Sequence, residues 1–416
     1  MFSRLEGRRI KPESPPSQNE STRISSAKPP GSGDHGEPLE EGRLLPYLFV
    51  TVFLLSTSFG AFMVIVPVFA EGLGASYLDL GLMGSAGSLT YAVMTVLSGY
   101  LVDRHNRAHL YTIGLLGIMA SIVLFSLTED ILGLILLRTL VGVASALFWV
   151  TALSLVMEAS SPEHRVKALS RYNLSWVAGF LAGPTIGGVM YEALGFRNLS
   201  IALGGVSGVC ALVATLSITP HYRRSSPSRA GRKVFDASIF KGSRSAYLLI
   251  LSHSVIIGVQ MSLFPGYMSE FGLSSFQIGL LMTASNGARG CAFINTGRFM
   301  AWGRKRSLNL AVILTSLALL GIALSRGALT FLPPLLLIGL SGGIMLPIVQ
   351  DAIVGAVSDE ELGGAVGLYE AMFGIGSTLG PMLAGGLADL IRPEAPYIVL
   401  SASALTMLLL TARMKT

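Results

Sequence analysis

The chain has 416 residues, of which 51% are hydrophobic and only 13% are charged, and its mean hydropathy is +0.62. A soluble domain carries about 25% charged residues, so this composition excludes an ordinary soluble protein and indicates a chain solvated mostly by lipid. The net charge of +6 does not indicate nucleic-acid binding, because the basic residues form short clusters between long apolar runs. The two cysteines, Cys210 and Cys291, each lie inside an apolar run, so we expect neither a disulfide framework nor a metal site.

Residues 1–44 are rich in Pro, Ser, Gly and mixed charge, and we predict a disordered cytoplasmic tail there. From Leu45 onward, long apolar segments alternate with short polar breaks. Each segment is near or above the ~20 residues that a membrane helix needs, and the alternating segments of a barrel strand are absent. The chain is therefore predicted to be an all-α integral membrane protein with twelve transmembrane helices, numbered here as spans 1 to 12 at 46–70, 77–102, 108–127, 131–157, 167–193, 198–219, 246–269, 275–300, 307–325, 328–356, 363–390 and 396–413.

The loops between the spans predict the orientation. With the N-terminus inside, the internal loops carry most of the Arg and Lys residues, whereas the external loops carry only Arg197, Arg326 and Arg392. The positive-inside rule then predicts that both termini lie on the cytoplasmic side of a cell membrane. Residues 220–245 are predicted to be a basic cytoplasmic linker between the bundles 45–219 and 246–416, and contact with anionic lipid is an alternative explanation of the linker's charge.

Span 5 carries glycines every four residues, which fall on one helix face and let a neighbouring helix approach closely. Nearly the same pattern returns in span 11, with its proline 197 residues after that of span 5. Further landmarks match at offsets of 197 or 198 residues, so we predict two pseudo-symmetric six-helix bundles that are parallel repeats. The helix-packing motif comprises Gly179, Gly183, Pro184, Gly187 and Gly188 and, in the second copy, Gly380 and Pro381.

The run from Gly99 to Arg107, between spans 2 and 3, resembles the signature loop of the major facilitator superfamily. The usual glycine before the last arginine is Asn106, and because asparagine tolerates the left-handed conformation, we expect the turn to survive. The resemblance implies a latch that joins the two halves in the outward-open state, with Glu158 as our preferred acidic partner of the arginines. The alternative is that these are ordinary charges of an internal loop. The latch residues are Gly99, Asp103, Arg104, Arg107 and Glu158.

Arg138 in span 4, four residues before Gly142, resembles the family's membrane-embedded arginine. The resemblance implies a part in proton transfer. A buried arginine costs roughly 2.5 to 3.5 kcal/mol at a helix centre on insertion scales, so it needs a partner or a wet cavity. The alternative is that Arg138 extends to the outer surface. The glycine-proline motif of span 5 likewise resembles the signature of proton-coupled exporters, against the alternative of a packing seam without a role in transport direction.

In this family spans 1, 4, 7 and 10 line the central cavity, and the resemblance implies the same here. It nominates polar and aromatic residues on these four helices, although each residue has the alternative of holding helices together. The substrate-cavity candidates are Ser56, Phe59, Trp149, Gln260, Phe264 and Gln350, in addition to Arg138, His253 and Asp351.

Proton coupling requires a group that titrates, and span 1 contains no acid. The buried candidates are Glu370 in span 11, Asp351 near the cytoplasmic end of span 10, and His253 in span 7. Arg289 in span 8 is a potential neutralising partner of Glu370, and a static structural ion pair is the alternative interpretation.

These patterns predict a secondary transporter that exports a small, amphipathic organic solute in exchange for protons. A proton-coupled uptake carrier for a sugar, organic acid or similar nutrient is the alternative on the same scaffold. A membrane-embedded sensor or enzyme is a distant third, since no nucleophile constellation, metal-ligand spacing or phosphate loop stands out. We expect no enzymatic activity, no cofactor, no nucleic-acid partner and a monomer in the lipid bilayer.

Overall fold

The computed structural model describes residues 44–161, 164–222, 240, 243–358 and 362–413. All regular structure in this part of the chain is helical, and the helices make twelve spans, as predicted. In chain order the spans are Leu44–Gly72, Tyr77–Arg104, Arg107–Phe125, Ile131–Glu158, the two arms of Arg165–Val213, Arg244–Ser262 with Phe264–Glu270, Ser275–Ile294 with Thr296–Trp302, Arg304–Leu324, Ala328–Val354, Leu362–Leu390 and Ala395–Ala412.

Spans 5 to 7 depart from regular helices for local chemical reasons. Gly195, with φ 73° and ψ 171°, separates spans 5 and 6 within the run Arg165–Val213. This backbone conformation suits glycine, which has no Cβ to clash. Span 7 is divided at Leu263, because Pro265 in its second piece has no backbone N–H to continue the helix.

Ten helices of the described chain are long and apolar enough to cross a membrane, and one of them, Lys167–Ile218, contains both spans 5 and 6. The ten helices thus account for eleven crossings, and span 8 is the remaining one. Polar residues such as Gln277, Asn286 and Arg289 lower its hydropathy. A span that keeps polar groups at membrane depth must direct them toward protein or water.

Span 1 begins and span 12 ends at the same end of the bundle, which we call the terminal end. We call the other end of the bundle the opposite end. Spans 2 and 8 both begin at the opposite end with a capping box, formed by Ser76 with Asp79 and by Ser274 with Gln277. The repeated sequence is thus a repeated helix start. Residues 1–43 of the predicted tail and most of the linker predicted over 220–245 lie outside the described residues, whereas Leu44, the last residue of the predicted tail, begins span 1.

The glycines of span 5 pack against span 1, as the spacing predicted. A Cβ on Gly183 would lie 2.5 Å from the carbonyl oxygen of Thr57, and a Cβ on Gly187 would lie 2.8 Å from the Cα of Ala61. The second copy packs against span 7 in the same way, since a Cβ on Gly380 would lie 2.6 Å from the carbonyl oxygen of Val255. Each half therefore contains one seam in which two backbones touch without side chains between them.

Candidate functional site

The two halves meet at the opposite end through glycines that face prolines. A Cβ on Gly279 of span 8 would collide with the carbonyl group of Pro184 and lie 3.2 Å from the Cα of Thr185. In the pseudo-symmetric contact, a Cβ on Gly81 of span 2 would collide with the carbonyl group of Pro381. Span 8 therefore packs directly on span 5, and span 2 on span 11, with no room for a side chain at either contact.

The prolines also leave backbone acceptors for the other half. Pro184 has no N–H to donate to the carbonyl oxygen of Phe180, and Asn286 Nδ2 donates to that oxygen instead, at 3.0 Å. One residue further, Thr283 Oγ1 donates to the carbonyl oxygen of Leu181 at 2.9 Å. The bend in span 5 is thus part of the contact between the halves.

The same arrangement recurs in the second copy, where Ser85 Oγ of span 2 donates to the carbonyl oxygen of Thr378 in span 11. Ser85 precedes Thr283 by 198 residues, and Leu181 precedes Thr378 by 197, so the hydrogen bonds follow the sequence repeat. The structure therefore shows the repeat in its contacts between halves as well as in its helix order.

Two carboxylates complete the contact at the opposite end. Asp389 at the end of span 11 accepts hydrogen bonds from the backbone N–H groups of Tyr77 and Leu78, at 3.0 and 2.8 Å. Glu192 at the end of span 5 accepts one from the N–H of Phe276, at 2.8 Å. Each acid satisfies the free N–H groups and complements the positive dipole at the start of a helix in the other half.

At the terminal end, the predicted pairing of the signature loop with Glu158 is present within the first half. Arg107 Nη1 lies 2.8 Å from Glu158 Oε2, and the hydroxyl of Tyr222 donates to the same oxygen at 2.7 Å. Asp103 and Arg104 are exposed at the end of span 2, which also carries Gly99. A latch between the halves in another conformation stays a prediction.

Our expectation for Asn106 was wrong in its physical basis. Its φ of −67° is extended and not left-handed, and its side chain accepts hydrogen bonds from the N–H groups of Ala108 and His109. Asn106 is therefore the N-cap of span 3, which is a role that glycine cannot fill with a side chain.

A cavity of about 290 Å³ lies between spans 1 and 5 toward the terminal end. From Phe180 to Glu192, span 5 forms hydrogen bonds to span 8, but the turns of span 5 nearer the terminal end line this cavity instead. All hydrogen bonds between the halves that the structure describes lie from mid-depth to the opposite end. The cavity lining comprises Phe49, Val50, Phe53, Leu174, Ser175 and Ala178.

Half-buried aromatic rings from spans 1, 4 and 5 cluster at mid-depth in the first half. The ring of Phe180 lies 6.2 Å from that of Phe59, 6.5 Å from that of Trp149 and 6.1 Å from that of Trp176, measured between centroids. The carbonyl of the same Phe180 binds Asn286, so this aromatic cluster borders the contact with the second half. Flat apolar surface of this kind suits the body of an amphipathic molecule.

A polar cluster lies in the second half among spans 7, 8 and 10. Arg289 Nη2 donates to Gln260 Oε1 at 3.1 Å, and Gln260 Nε2 donates to Ser285 Oγ at 3.3 Å. A Cβ on Gly342 would lie 3.4 Å from His253 Nε2 and 3.5 Å from Arg289 Nε, so the imidazole and the guanidinium both approach the same bare stretch of span 10. Both ring nitrogens of His253 and the Nε of Arg289 are buried without a hydrogen-bond partner.

Arg138 occupies a comparable position in the first half. Its Nη1 contacts the Sδ of Met63, a weak acceptor, and its Nε is buried without a partner. A Cβ on Gly87 of span 2 would lie 3.6 Å from that Nε, so the guanidinium lies between spans 1 and 2.

Glu370 is exposed in span 11, close enough to Tyr91 of span 2 and to Tyr369 for electrostatic interaction. Among the described spans it is the only acid more than two turns from both ends. The structure describes no ion pair between Glu370 and Arg289, since Arg289 binds Gln260 instead. Gln350 Nε2 donates to the hydroxyl of Tyr369, the residue that precedes Glu370, at 3.1 Å.

A comparison with known proteins decides the family. The sequence profile of the Major Facilitator Superfamily matches residues 48–259 and 246–415. The chain belongs to this superfamily.

Several named relatives align with most of this superfamily chain. The quinolone resistance protein NorA of Staphylococcus aureus strain MRSA252 is 21% identical over 372 residues, which cover 86% of this chain and 92% of NorA. Among solved structures, the nucleoside transporter NupG has a TM-score of 0.73 at 13% identity, covering 89% of this chain and 98% of NupG. A bacterial homologue of the human lysosomal transporter Spinster, in an inward-facing and occupied conformation, has a TM-score of 0.72 at 15% identity, covering 91% and 98%.

Three residues that the family resemblance nominated lie elsewhere in this member. Asp351 is exposed and forms an ion pair with Arg304 at the terminal end, so it is not a buried carboxyl. Phe264 is buried inside the second half, with its ring 5.3 Å from that of Tyr397, and Ser56 is buried beneath Gly179 where spans 1 and 5 touch. All three hold helices together in this conformation.

Sequence reasoning also missed residues that the geometry singles out. Asp389 lies 197 residues after Glu192, the same separation as between the two proline motifs. This repeat was a usable signal for both acids. Phe180 lies inside the glycine motif. Because the glycines of that motif were interpreted as a packing pattern, the aromatic side chain of Phe180 was overlooked. The residues missed are Tyr91, Trp176, Phe180, Glu192, Asn286 and Asp389.

Proposed function

We propose that this secondary transporter exports small amphipathic organic molecules in exchange for protons. The observation that carries the proposal is Glu370, a lone membrane-depth carboxyl that is exposed and has no described ion pair. An acid in such a place can take up and release a proton as the space around it opens and closes. The relative NorA, whose name records resistance to quinolones, supports export, since a carrier protects a cell by removing the drug.

The proposed cycle is alternating access between the two bundles of a monomer. With both termini on the cytoplasmic side of a cell membrane, the conformation described above is inward-open. The glycine-proline contacts then form its outer gate. The outward-open conformation then requires those contacts to separate while the halves close at the terminal end. There Asp103, Arg104 and the Arg107–Glu158 pair would form the latch that the signature loop predicts, and the ion pair within the first half supports this.

Proton-coupled uptake of a small nutrient on the same scaffold is the second candidate. The fold that the chain shares with the nucleoside transporter NupG is compatible with it, because the fold alone does not set direction. In this candidate Glu370 would load its proton together with the solute and not in exchange for it.

The sign of the coupling separates export from uptake. A thermal-shift screen of the purified protein selects solutes that bind, and proteoliposomes then receive a defined proton gradient with the lumen acidic. We expect the solute to accumulate in the lumen as protons leave, whichever way the protein is inserted. Expulsion of solute from the lumen would establish uptake by symport, and accumulation that ignores the gradient would contradict proton coupling.

A further inference from the structure

Both halves of the bundle bury an arginine that has no acidic partner among the described residues. Among the described side-chain hydrogen bonds, Arg289 donates one, to the neutral amide of Gln260, and Arg138 donates one, to the thioether of Met63. The Nε of each is buried without an acceptor. The described ion pairs of the chain involve three other arginines, all near helix ends.

A guanidinium at membrane depth is always charged and is stable only beside an anion or water. The sole acid at comparable depth in the described spans is Glu370, which lies by Tyr91 and Tyr369. The interior of the bundle therefore carries two fixed positive charges and one carboxyl, with His253 adding two further unpartnered nitrogens beside Arg289. This charge balance is complementary to a negative charge that the described spans do not provide.

Arg289 contacts span 7 directly, whereas Arg138 lies against span 2, which packs on span 7. Arg289 binds Gln260, while Arg138 lies against Gly87, one turn of span 2 from Gly84. A Cβ on Gly84 would lie 2.6 Å from the Cβ of Ser262, two residues after Gln260. Residues 260–262 thus connect the surroundings of the two arginines, through Gln260 to Arg289 and through Ser262 and span 2 to Arg138.

The aromatic cluster of Phe59, Trp149, Trp176 and Phe180 is connected to Arg289 through span 8. Asn286, which binds the carbonyl of Phe180, precedes Arg289 by three residues and so lies on the same face of span 8. The aromatic cluster and the guanidinium of Arg289 are therefore neighbours across the contact between the halves.

We propose that the transported molecule is an organic anion, whose acidic group is bound by Arg289 and Arg138 and whose apolar body packs on the aromatic cluster. The inference rests on the proposed function and names its substrate class. Carboxylates, sulfonates and phosphate esters share the required chemistry, because each accepts hydrogen bonds from the fork of a guanidinium.

The test compares ligands that differ only in charge. Pyrene, naphthalene and dodecyl bodies are each presented as a carboxylate, a primary amide and an ammonium, and binding to the full-length protein is measured through quenching of tryptophan fluorescence and through thermal shift. Two of the three tryptophans lie in the aromatic cluster, so quenching reports on this place. We expect the best carboxylate to bind roughly tenfold more tightly than its amide, with the ammonium weakest.

Variants assign the preference to the two arginines. Arg289→Gln and Arg138→Gln are expected to remove the preference for the carboxylate while the amide binds as before, and Arg289→Lys is expected to keep part of it. Arg326→Gln, which breaks a surface ion pair with Glu394, is the matched control and should leave the preference intact. A panel in which no carboxylate binds better than its amide would overturn the proposal, as would a preference that survives both glutamine variants. Gradient-driven transport of the ammonium compounds would reject the anion while leaving proton-coupled export standing.

Discussion

Replacing Gly279 with valine is expected to lower transport about 100-fold, because the new side chain has no space at the contact between spans 8 and 5. A Cβ at this position meets the carbonyl group of Pro184, which belongs to the backbone and cannot rotate away as a side chain can. The opposite end then cannot close, so the carrier is held in conformations that do not complete the cycle. Initial rates of solute movement in proteoliposomes measure the effect.

Gly290→Val in the same span is the matched control, since no atom lies within 4 Å of a Cβ at that position. It should transport at the rate of the unmodified protein. Gly81→Val, at the pseudo-symmetric contact with Pro381, should reproduce the loss. Normal transport by the Gly279 variant would show that the glycine-proline contacts are not part of the gate.

Replacing Glu370 with glutamine is expected to abolish gradient-driven transport while the protein remains folded and binds its solute. The amide resembles the protonated acid in shape but cannot release a proton, so the coupling is lost. Exchange of labelled for unlabelled solute without a gradient should persist, because that reaction needs no proton to be carried. The two assays on the same proteoliposomes separate coupling from binding.

Asp351→Asn is the control for Glu370, because Asp351 is the other acid of the tenth and eleventh spans proposed from sequence and is paired with Arg304 at the surface. Its gradient-driven transport should stay within about twofold of the unmodified protein, as expected for a surface ion pair. Undiminished gradient-driven transport by the Glu370 variant would remove this carboxyl from the mechanism.

The architecture was predictable because it depends on span length and on repetition. Twelve apolar segments and a repeat of 197 residues suffice for two six-helix bundles, and the glycine spacing predicts close backbone contact along span 5. The partner of Arg107 was also predictable, because Glu158 ends the neighbouring span at the same end of the bundle. Such conclusions need only the order of residues along a helix.

The site was less predictable because membrane helices are apolar on nearly every side, so periodicity does not fix which face is turned inward. Phe264 and Ser56 lie on spans that the resemblance implied to line the cavity, yet both face a neighbouring helix of their own half. Asn106 was misjudged because the same residue type serves both as a left-handed turn residue and as an N-cap. The role of Asn286 depends on a carbonyl freed by a proline about 100 residues earlier, which only the tertiary structure reveals.

The most direct test of alternating access uses one pair of helices, spans 2 and 11, labelled at both ends. In a background with Cys210 and Cys291 replaced, spin labels at Leu78 and Leu390 report on the opposite end, and labels at Val96 and Val366 report on the terminal end. All four side chains are exposed, so the labels fit without disturbing the packing. As solute and a proton gradient are varied, the distance across the opposite end should lengthen whenever the distance across the terminal end shortens. Distances that change in the same direction, or that stay fixed while the protein transports, would contradict the account.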